Sequence, residues 1–200
     1  MAYTTIDDPE AYFQVRAYAG TGSAHSQTFD GDTDMQPDLV WIKNRGSATN
    51  HEVADSVRGV NKLLKTNDTD AEQSVTTKIT AFNSDGFGVG TDSNVNESGV
   101  NQIAWCWKAG TSFTNDASAT SVGTIDSTGS VNNDSGFSIV SYTGNGSSAA
   151  TVKHGLNTAP KIVIIKRRNA VDSWPLWLVG TTQYRVVLNL TNASDSIFSI

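Results

Sequence analysis

The sequence has few of the residues that cross-link or stiffen a chain. Its 200 residues include one cysteine, four prolines and two methionines, and only 17% of them are charged. A single cysteine excludes an intramolecular disulfide. Because Cys106 stands between Trp105 and Trp107, the sequence predicts a small buried side chain there rather than a nucleophile.

Long apolar runs and excess positive charge are also missing. No run approaches the roughly 20 residues of a membrane helix, so we expect no membrane insertion. The first ten residues have neither a basic start nor an apolar stretch, which predicts no signal peptide and synthesis in a cytoplasm. The net charge of −6 repels phosphate backbones, so no nucleic-acid partner is expected.

What the sequence has instead is turn residues. There are 17 glycines and many serines, threonines and asparagines, and runs of strong helix formers are scarce. Such a composition indicates short strands joined by turns. We therefore predict an all-β fold, an antiparallel β-sandwich of jelly-roll or concanavalin-like type.

The chain repeats itself. Phe13–Ser23, FQVRAYAGTGS, aligns with Phe137–Ser147, FSIVSYTGNGS, and Pro37–Arg45, PDLVWIKNR, aligns with Pro160–Arg168, PKIVIIKRR. Each copy has an alternating strand, a Gly-x-Gly turn and an apolar run after proline. Repetition of several elements in one order predicts two copies of one structural unit.

The last strand of the first copy carries a clear alternation. Ile103, Trp105 and Trp107 share one face, while Ala104 and Cys106 share the other. We predict that the bulky face lies in the core. The small face would let a second layer approach closely.

The repeat divides the chain into four parts. They are a docking arm over residues 1–11, a complete sandwich over 12–110, a linker over 111–135 and an incomplete second sandwich over 136–200. The linker is predicted from its Ser, Thr, Asn and Asp content.

The second copy stops early. Tyr184–Leu190 can correspond to the region of Leu63, and Ile197–Ile200 to Phe87–Gly90, but no segment corresponds to Gln102–Lys108. A sandwich without its closing strand exposes an edge. We therefore expect that the polypeptide continues past Ile200, or that a neighbouring subunit supplies the strand.

Several segments resemble a module found in predicted structural proteins of marine bacteriophages, including cyanophages. They are MAYTTIDDPEAYF, MQPDLVWIKNR, DSVRGVNKLL, SDGFGVG, IAWCWKAG, GFSIVSYTGNGS and KHGLNTAPKIVIIKRR. The resemblance implies a concanavalin-type or SPRY-like sandwich, a place in the virion and a tail-fibre-like role. It implies no catalytic residue and no cofactor.

This resemblance leads to a hypothesis about partners. The arm would dock on other virion proteins of the tail, and the modules would project towards a host surface glycan or receptor. The docking residues would be Met1, Ala2, Tyr3, Ile6 and Pro9. Particle symmetry predicts a homo-oligomer, by analogy with fibres a trimer. A fibre or decoration protein of the capsid is the alternative.

One segment has the spacing of a metal site. Asp30, Asp32 and Asp34 alternate with other residues, and alternating carboxylates can converge on calcium. The glycine and the glutamate that an EF-hand loop needs further along are absent. An acidic turn between two strands explains the same pattern, and no bound metal is expected.

A lectin or a glycan-cleaving enzyme is the alternative of another class. Trp174 and Trp177 could stack on a sugar ring, but in a regular strand they cannot both face the same way, so core packing is the better explanation for at least one of them. Glycosidases need paired carboxylates, and the glutamates of this chain are isolated from one another. We therefore predict that the protein is not an enzyme.

Overall fold

The fold is described by a computed structural model over residues 6–179, 182–191 and 195–199. Its strands are β1 (Phe13–Ala19), β2 (His25–Gln27), β3 (Leu39–Asn44), β4 (Glu52–Asp55), β5 (Lys62–Lys65), β6 (Gln73–Ser74), β7 (Ile79–Phe82), β8 (Phe87–Val89), β9 (Asn101–Trp107), β10 (Thr111–Asn115), β11 (Ser127–Asn132), β12 (Phe137–Tyr142), β13 (Ile162–Ile164), β14 (Pro175–Leu178), β15 (Thr182–Val187) and β16 (Asp195–Ser199). The helices are a 3₁₀ turn (Pro9–Ala11), α1 (Ser93–Asn96) and α2 (Ala117–Thr120).

The first copy is a two-layer sandwich. One layer is a sheet in the order β1-β9-β3-β4-β5-β6, and the other is a small sheet in the order β2-β8-β7. Phe87 and Val89 from the small sheet pack with Val40, Ile42 and other side chains of the large sheet in one buried cluster. The predicted all-β fold with antiparallel, sandwich-like sheets is confirmed. No helix in the part of the chain that the structure describes is long and apolar enough to cross a membrane.

Strand β9 faces the core with its small side chains, so the predicted orientation is wrong. Ala104 and Cys106 are fully buried, while Ile103, Trp105 and Trp107 on the other face are only partly buried. The reason is volume. Phe87, Met35 and other large side chains already fill the space between the layers, and a close-packed interior leaves room only for small groups opposite them.

The second copy repeats the hydrogen bonds of the first. Ser56 N donates to Asp38 O at 2.8 Å, and Val179 N donates to Lys161 O at 2.8 Å. Donor and acceptor of the second bond lie the same number of residues further along the chain than those of the first. Leu39 therefore faces Asp55 across β3–β4 as Ile162 faces Leu178 across β13–β14. Shared register, rather than similar residues alone, makes these hairpins equivalent.

The correspondence continues into the next turn. His51 N donates to the Asn67 side chain at 2.8 Å, and Trp174 N donates to the Asn189 side chain at 2.9 Å. Each asparagine lies in the turn that follows the last strand of an equivalent meander, β3-β4-β5 or β13-β14-β15. Tyr184–Leu190 thus pairs in its copy as the region of Leu63 does in the first.

Strand β16 corresponds to β6 and not to β8. It pairs with β15 as β6 pairs with β5, whereas β8 lies in the other sheet between β2 and β7. The predicted match of Ile197–Ile200 to Phe87–Gly90 is therefore wrong for the residues described. Short apolar runs look alike in sequence, and only the pairing partner separates them.

The segment over residues 111–135 is structured, which corrects the predicted linker. It contains β10, α2 and β11, and its strands extend β12 into an antiparallel sheet in the order β10-β11-β12. Gly129 permits this pairing, since an added side-chain carbon there would lie 2.5 Å from the Phe113 ring. Ser and Thr satisfy strand geometry as readily as linker geometry.

Candidate functional site

The outer face of the large sheet carries a row of apolar side chains. Val15, Trp105, Trp41, Val53 and Leu64 are neighbours on five successive strands, β1, β9, β3, β4 and β5. Apolar residues on a sheet face that points away from the core need another layer over them. This outer face is the candidate functional surface of the first copy.

Two aromatic side chains of the second copy lie on the outer face. Trp174 packs with Val53 and Leu64 at one end. Phe137 stacks on Trp107 at the other end, with ring centroids 6.1 Å apart. The β1 edge of this face stays open, where Val15 is 42% exposed. The two copies therefore share a packed interface instead of hanging from a linker.

A charged network closes the interface. The Glu72 carboxylate accepts hydrogen bonds from Arg58 at 3.0 Å within the first copy and from Arg168 at 2.9 Å within the second. Arg58 also pairs with Asp55 at 2.6 Å. Because one carboxylate joins two guanidinium groups from different copies, it fixes their relative position more firmly than an isolated surface pair does.

The network controls the ionisation of Glu72. Burial opposes ionisation, but hydrogen bonds and charges from Arg168 and Arg58 outweigh it and hold the pKa of Glu72 below its ordinary value. A carboxylate that both arginines hold ionised is unsuited to donate a proton in catalysis. The geometry indicates a structural joint.

We predict that acid weakens this joint. A lowered folded-state pKa stabilises the fold above the ordinary glutamate pKa, about 4.3, and this contribution is lost as pH falls through the folded value. Glu72→Gln should therefore melt below wild type at neutral pH, and the gap should close below about pH 4. Thermal unfolding from pH 7 to 3 measures both, and an equal gap at every pH would contradict the assignment.

The structure separates the two tryptophans predicted to bind glycan. Trp174 is only 7% exposed, and its indole nitrogen donates to the carbonyls of Lys65 and Asp68 at 2.8 and 3.1 Å. Its ring is therefore not available to stack on a sugar, and Trp174 is the one of the two that packs in a core. Trp177 lies on β14, partly exposed. The two do not form one aromatic platform.

The predicted calcium ligands are not brought together. Asp30 instead forms a salt bridge with Arg16 at 2.7 Å. The backbone nitrogen of Asp32 donates to the Glu10 carboxylate at 2.8 Å. Over residues 6–179, 182–191 and 195–199, no group of three His, Cys, Asp or Glu side chains is arranged to hold a metal ion. The acidic turn, which was the alternative interpretation, describes the segment.

The described part of the predicted docking arm packs on the first copy. Asp8 caps the 3₁₀ turn by accepting from Glu10 N, and its carboxylate also accepts from the Thr33 hydroxyl. From Asp8 onward, these contacts fix the predicted docking arm against the first copy. Ile6 and Pro9 line a shallow groove. Its walls are formed by the aromatic side chains of Tyr12, Phe13, Trp107 and Phe137. Met1, Ala2 and Tyr3 lie outside the described residues.

Comparison with known protein families gives a match over nearly the whole chain. Residues 8–199 match a domain of unknown function, DUF7483. The chain belongs to this family. The DUF7483 match includes both copies and the segment between them, in agreement with the shared interface. No curated protein and no solved structure matches the chain.

Sequence reasoning missed the charged joint of this DUF7483 chain. In the sequence, Arg168 only ends the segment PKIVIIKRR, and Glu72 lies in a polar stretch with no motif around it. The residues lie 2.9 Å apart in space and far apart in sequence. The sequence does not show which of its charged loop residues will form an ion pair. Glu72 and Arg168 meet only because the folded strands bring their two loops together.

Proposed function

We propose that this protein is a non-enzymatic structural protein of a bacteriophage particle, a tail fibre or tail-associated protein. It docks on other virion proteins through its N-terminal region and presents its β modules for attachment to the host surface. It acts as a homo-oligomer, a trimer by analogy with fibres. The resemblance of its motifs to phage modules is what brings the virion into the proposal.

The observation that carries the proposal is the interlocked repeat. The second copy lies on the outer face of the first, with Trp174 buried and Glu72 bonded to Arg168 across the interface. Repeated β units with packed and charge-fixed contacts resist bending, which is what an appendage that transmits contact with a host requires. The arm supports it further, because Asp8 and Glu10 tie the chain entry to the loop at Asp32 and Thr33.

The proposal is tested by locating the chain on intact particles. An antibody against the purified protein should label tails of the phage that encodes it, and mass spectrometry should find the protein in purified virions. Labelling of capsids alone would favour the capsid alternative, and absence from virions would refute the proposal. A glycan array and a depolymerase assay on the same protein test the lectin and enzyme class.

We predict that the arm is needed for incorporation. Deleting residues 1–7 leaves Asp8 to cap the 3₁₀ turn, so the melting temperature should stay within a few degrees of wild type while incorporation into particles is lost. The matched control is Thr33→Val, which removes a contact of Asp8 without shortening the chain. Incorporation of the deletion variant at the wild-type level would contradict docking through this region.

A further inference from the structure

Three polar side chains meet in the interior of the first copy. They are Glu52 at the start of β4 in the large sheet, Lys78 directly before β7 in the small sheet, and Asn94 in α1. Lys78 Nζ donates to Glu52 Oε1 at 2.5 Å, and Asn94 Nδ2 donates to the same oxygen at 2.8 Å. An amine, a proton carrier and an acyl group are the three parts that formation of a new amide requires.

Water has little access to the amine and the carboxyl group. Glu52 is fully buried and Lys78 is 6% exposed. Ile42, which pairs with Glu52 across β3–β4, and Ile79, which follows Lys78, are fully buried as well. Such surroundings disfavour charge on either group. A proton that passes from Lys78 to Glu52 leaves both groups neutral, and the neutral amine is the nucleophilic form of lysine.

The second oxygen of Glu52 has room for that proton. Among the residues that the structure describes, Oε2 of this buried carboxylate has no hydrogen-bond partner. Buried polar atoms are normally paired, and an exception calls for an explanation. A free oxygen suits a group that takes a proton from an amine and returns it to a leaving nitrogen.

Backbone hydrogen bonds hold Lys78 and Asn94 side by side. Gly90 N donates to Lys78 O at 2.6 Å, and Asp92 N donates to Thr77 O at 3.0 Å, so the segment before β7 pairs with the segment before α1. Gly90 permits this approach, because an added side-chain carbon would lie 2.2 Å from Thr77 O. The Asp92 side chain accepts from Asn94 N at 2.9 Å and fixes the start of α1. Groups held in this way react without the entropy cost of being brought together.

The distance between the two groups also allows a reaction. Bonds of 2.5 and 2.8 Å to one oxygen place the side-chain nitrogens of Lys78 and Asn94 no more than about 5 Å apart. The carboxamide carbon of Asn94 is bonded directly to its nitrogen. A nucleophile attacks from about 3–3.5 Å, which rotation of the two side chains about their single bonds provides. Asn94 is only partly buried, so a small leaving group can reach solvent.

We propose that Lys78 and Asn94 join in an isopeptide bond, a covalent cross-link within the first copy, with Glu52 as the proton carrier. The bond between Lys78 Nζ and Asn94 Cγ forms, the bond between Asn94 Cγ and Nδ2 breaks, and the released nitrogen leaves as ammonia. Of the two protons on the neutral amine, one stays on the new amide and the other passes by way of Glu52 to the leaving nitrogen. The step needs no oxidant, reductant or second substrate. Glu52 ends as a neutral acid, the form that a fully buried site favours.

The bond would join the two layers of the sandwich. Lys78 leads into the small sheet, and α1 is tied to β3 of the large sheet, because Asn44 Nδ2 donates to Ser93 O at 3.1 Å. Variants without Glu52 or Lys78 lack the carrier or the amine, so a comparison of their stabilities with one another reports the ion pair alone. The cross-link does not depend on the virion assignment.

The first measurement is the intact mass of the denatured full chain. Wild type should be lighter than its sequence mass by one ammonia, about 17 Da. The matched control is Lys78→Arg, which keeps a positive charge beside Glu52 but stays protonated and does not attack, so it should have its sequence mass. Asn94→Asp should lose water instead of ammonia, and its product should have the same mass as cross-linked wild type.

Trypsin digestion locates the bond. Lys78 is the only internal trypsin site of Thr66–Lys108, and an amide on its Nζ blocks cleavage there. Wild type should therefore give Thr66–Lys108 as a single peptide that lacks one ammonia, whereas Lys78→Arg should give two peptides. Further cleavage of the wild-type peptide after Phe87, which lies between the two linked residues, should leave two fragments that stay joined.

Glu52→Gln tests the proton carrier. The variant keeps the size of the side chain but cannot take a proton from the amine. The rate of cross-linking, followed by mass spectrometry after cell-free synthesis, should fall by about a hundredfold. Circular dichroism checks that the variant is folded.

Three results would overturn the proposal. The first is the full sequence mass for folded wild type. The second is a loss of ammonia with normal cleavage after Lys78, which would mean that an asparagine has closed on its own backbone. The third is an equal rate of cross-linking in folded Glu52→Gln. The first two need only the wild-type chain, so they decide the matter even if the Glu52 variant does not fold.

Discussion

Phe87→Ala should lower the free energy of unfolding by about 3–5 kcal/mol, as large-to-small changes of buried aromatic residues do. Phe87 is fully buried, and its ring contacts those of Tyr18 and Phe29 at centroid distances of 6.1 and 6.2 Å. Removing it leaves a cavity between the two layers that the sheets cannot close. Urea unfolding monitored by tryptophan fluorescence measures the change.

The matched control is Trp105→Ala on the opposite face of the large sheet. The Trp105 ring is only partly buried and has an edge contact with Trp41 at 6.1 Å, so its loss should cost less, about 2 kcal/mol. Sequence alternation alone predicts the reverse order. A larger loss for Trp105→Ala than for Phe87→Ala would contradict the orientation of β9 described here.

Glu52→Ala should destabilise the protein by about 3–5 kcal/mol, because it leaves a buried lysine without its partner. Glu52 is fully buried in β4, and its carboxylate accepts from Lys78 at 2.5 Å and from Asn94 at 2.8 Å. Lys78 is itself 6% exposed, so water cannot replace the lost carboxylate.

A double variant distinguishes the effect of losing the Glu52–Lys78 ion pair from the effect of losing side-chain volume. Glu52→Leu combined with Lys78→Met removes both charges and keeps similar volume, so most of the lost stability should return. Equilibrium unfolding of the single and double variants gives the comparison. If the double variant is no more stable than Glu52→Ala, the loss comes from packing or from Asn94 and not from the stranded lysine.

The repeat was predictable because it rests on local patterns. The segments that contain β3 and β13 each have four consecutive apolar residues, Leu39–Ile42 and Ile162–Ile165, between a preceding proline and following basic residues, and these features indicate a strand. The hydrogen bonds of Asp38 and Lys161 then show the same register in both copies. Register followed from the pattern since a one-residue slip would turn every side chain to the other face.

The candidate surface was not predictable in the same way. The sequence left open which of Trp174 and Trp177 is packed, and the structure buries Trp174 against Val53 and Leu64. Its burial depends on where the second copy lies on the first, and that is decided by contacts between residues distant in sequence. The charged joint of Glu72 with Arg58 and Arg168 has the same origin.

By itself, the sequence determined the all-β class, the turns and the two copies, because strand periodicity and turn chemistry act over a few residues. The tertiary structure alone decided which face of each strand is inside. In β9 the alternation of Ala104 and Cys106 with Trp105 fits either orientation, and the volume of Phe87 across the core selects the small face. The tertiary structure also decided that residues 111–135 contain strands. Their side chains are compatible with either a linker or an edge strand, and pairing of β11 with β12 selects the strand.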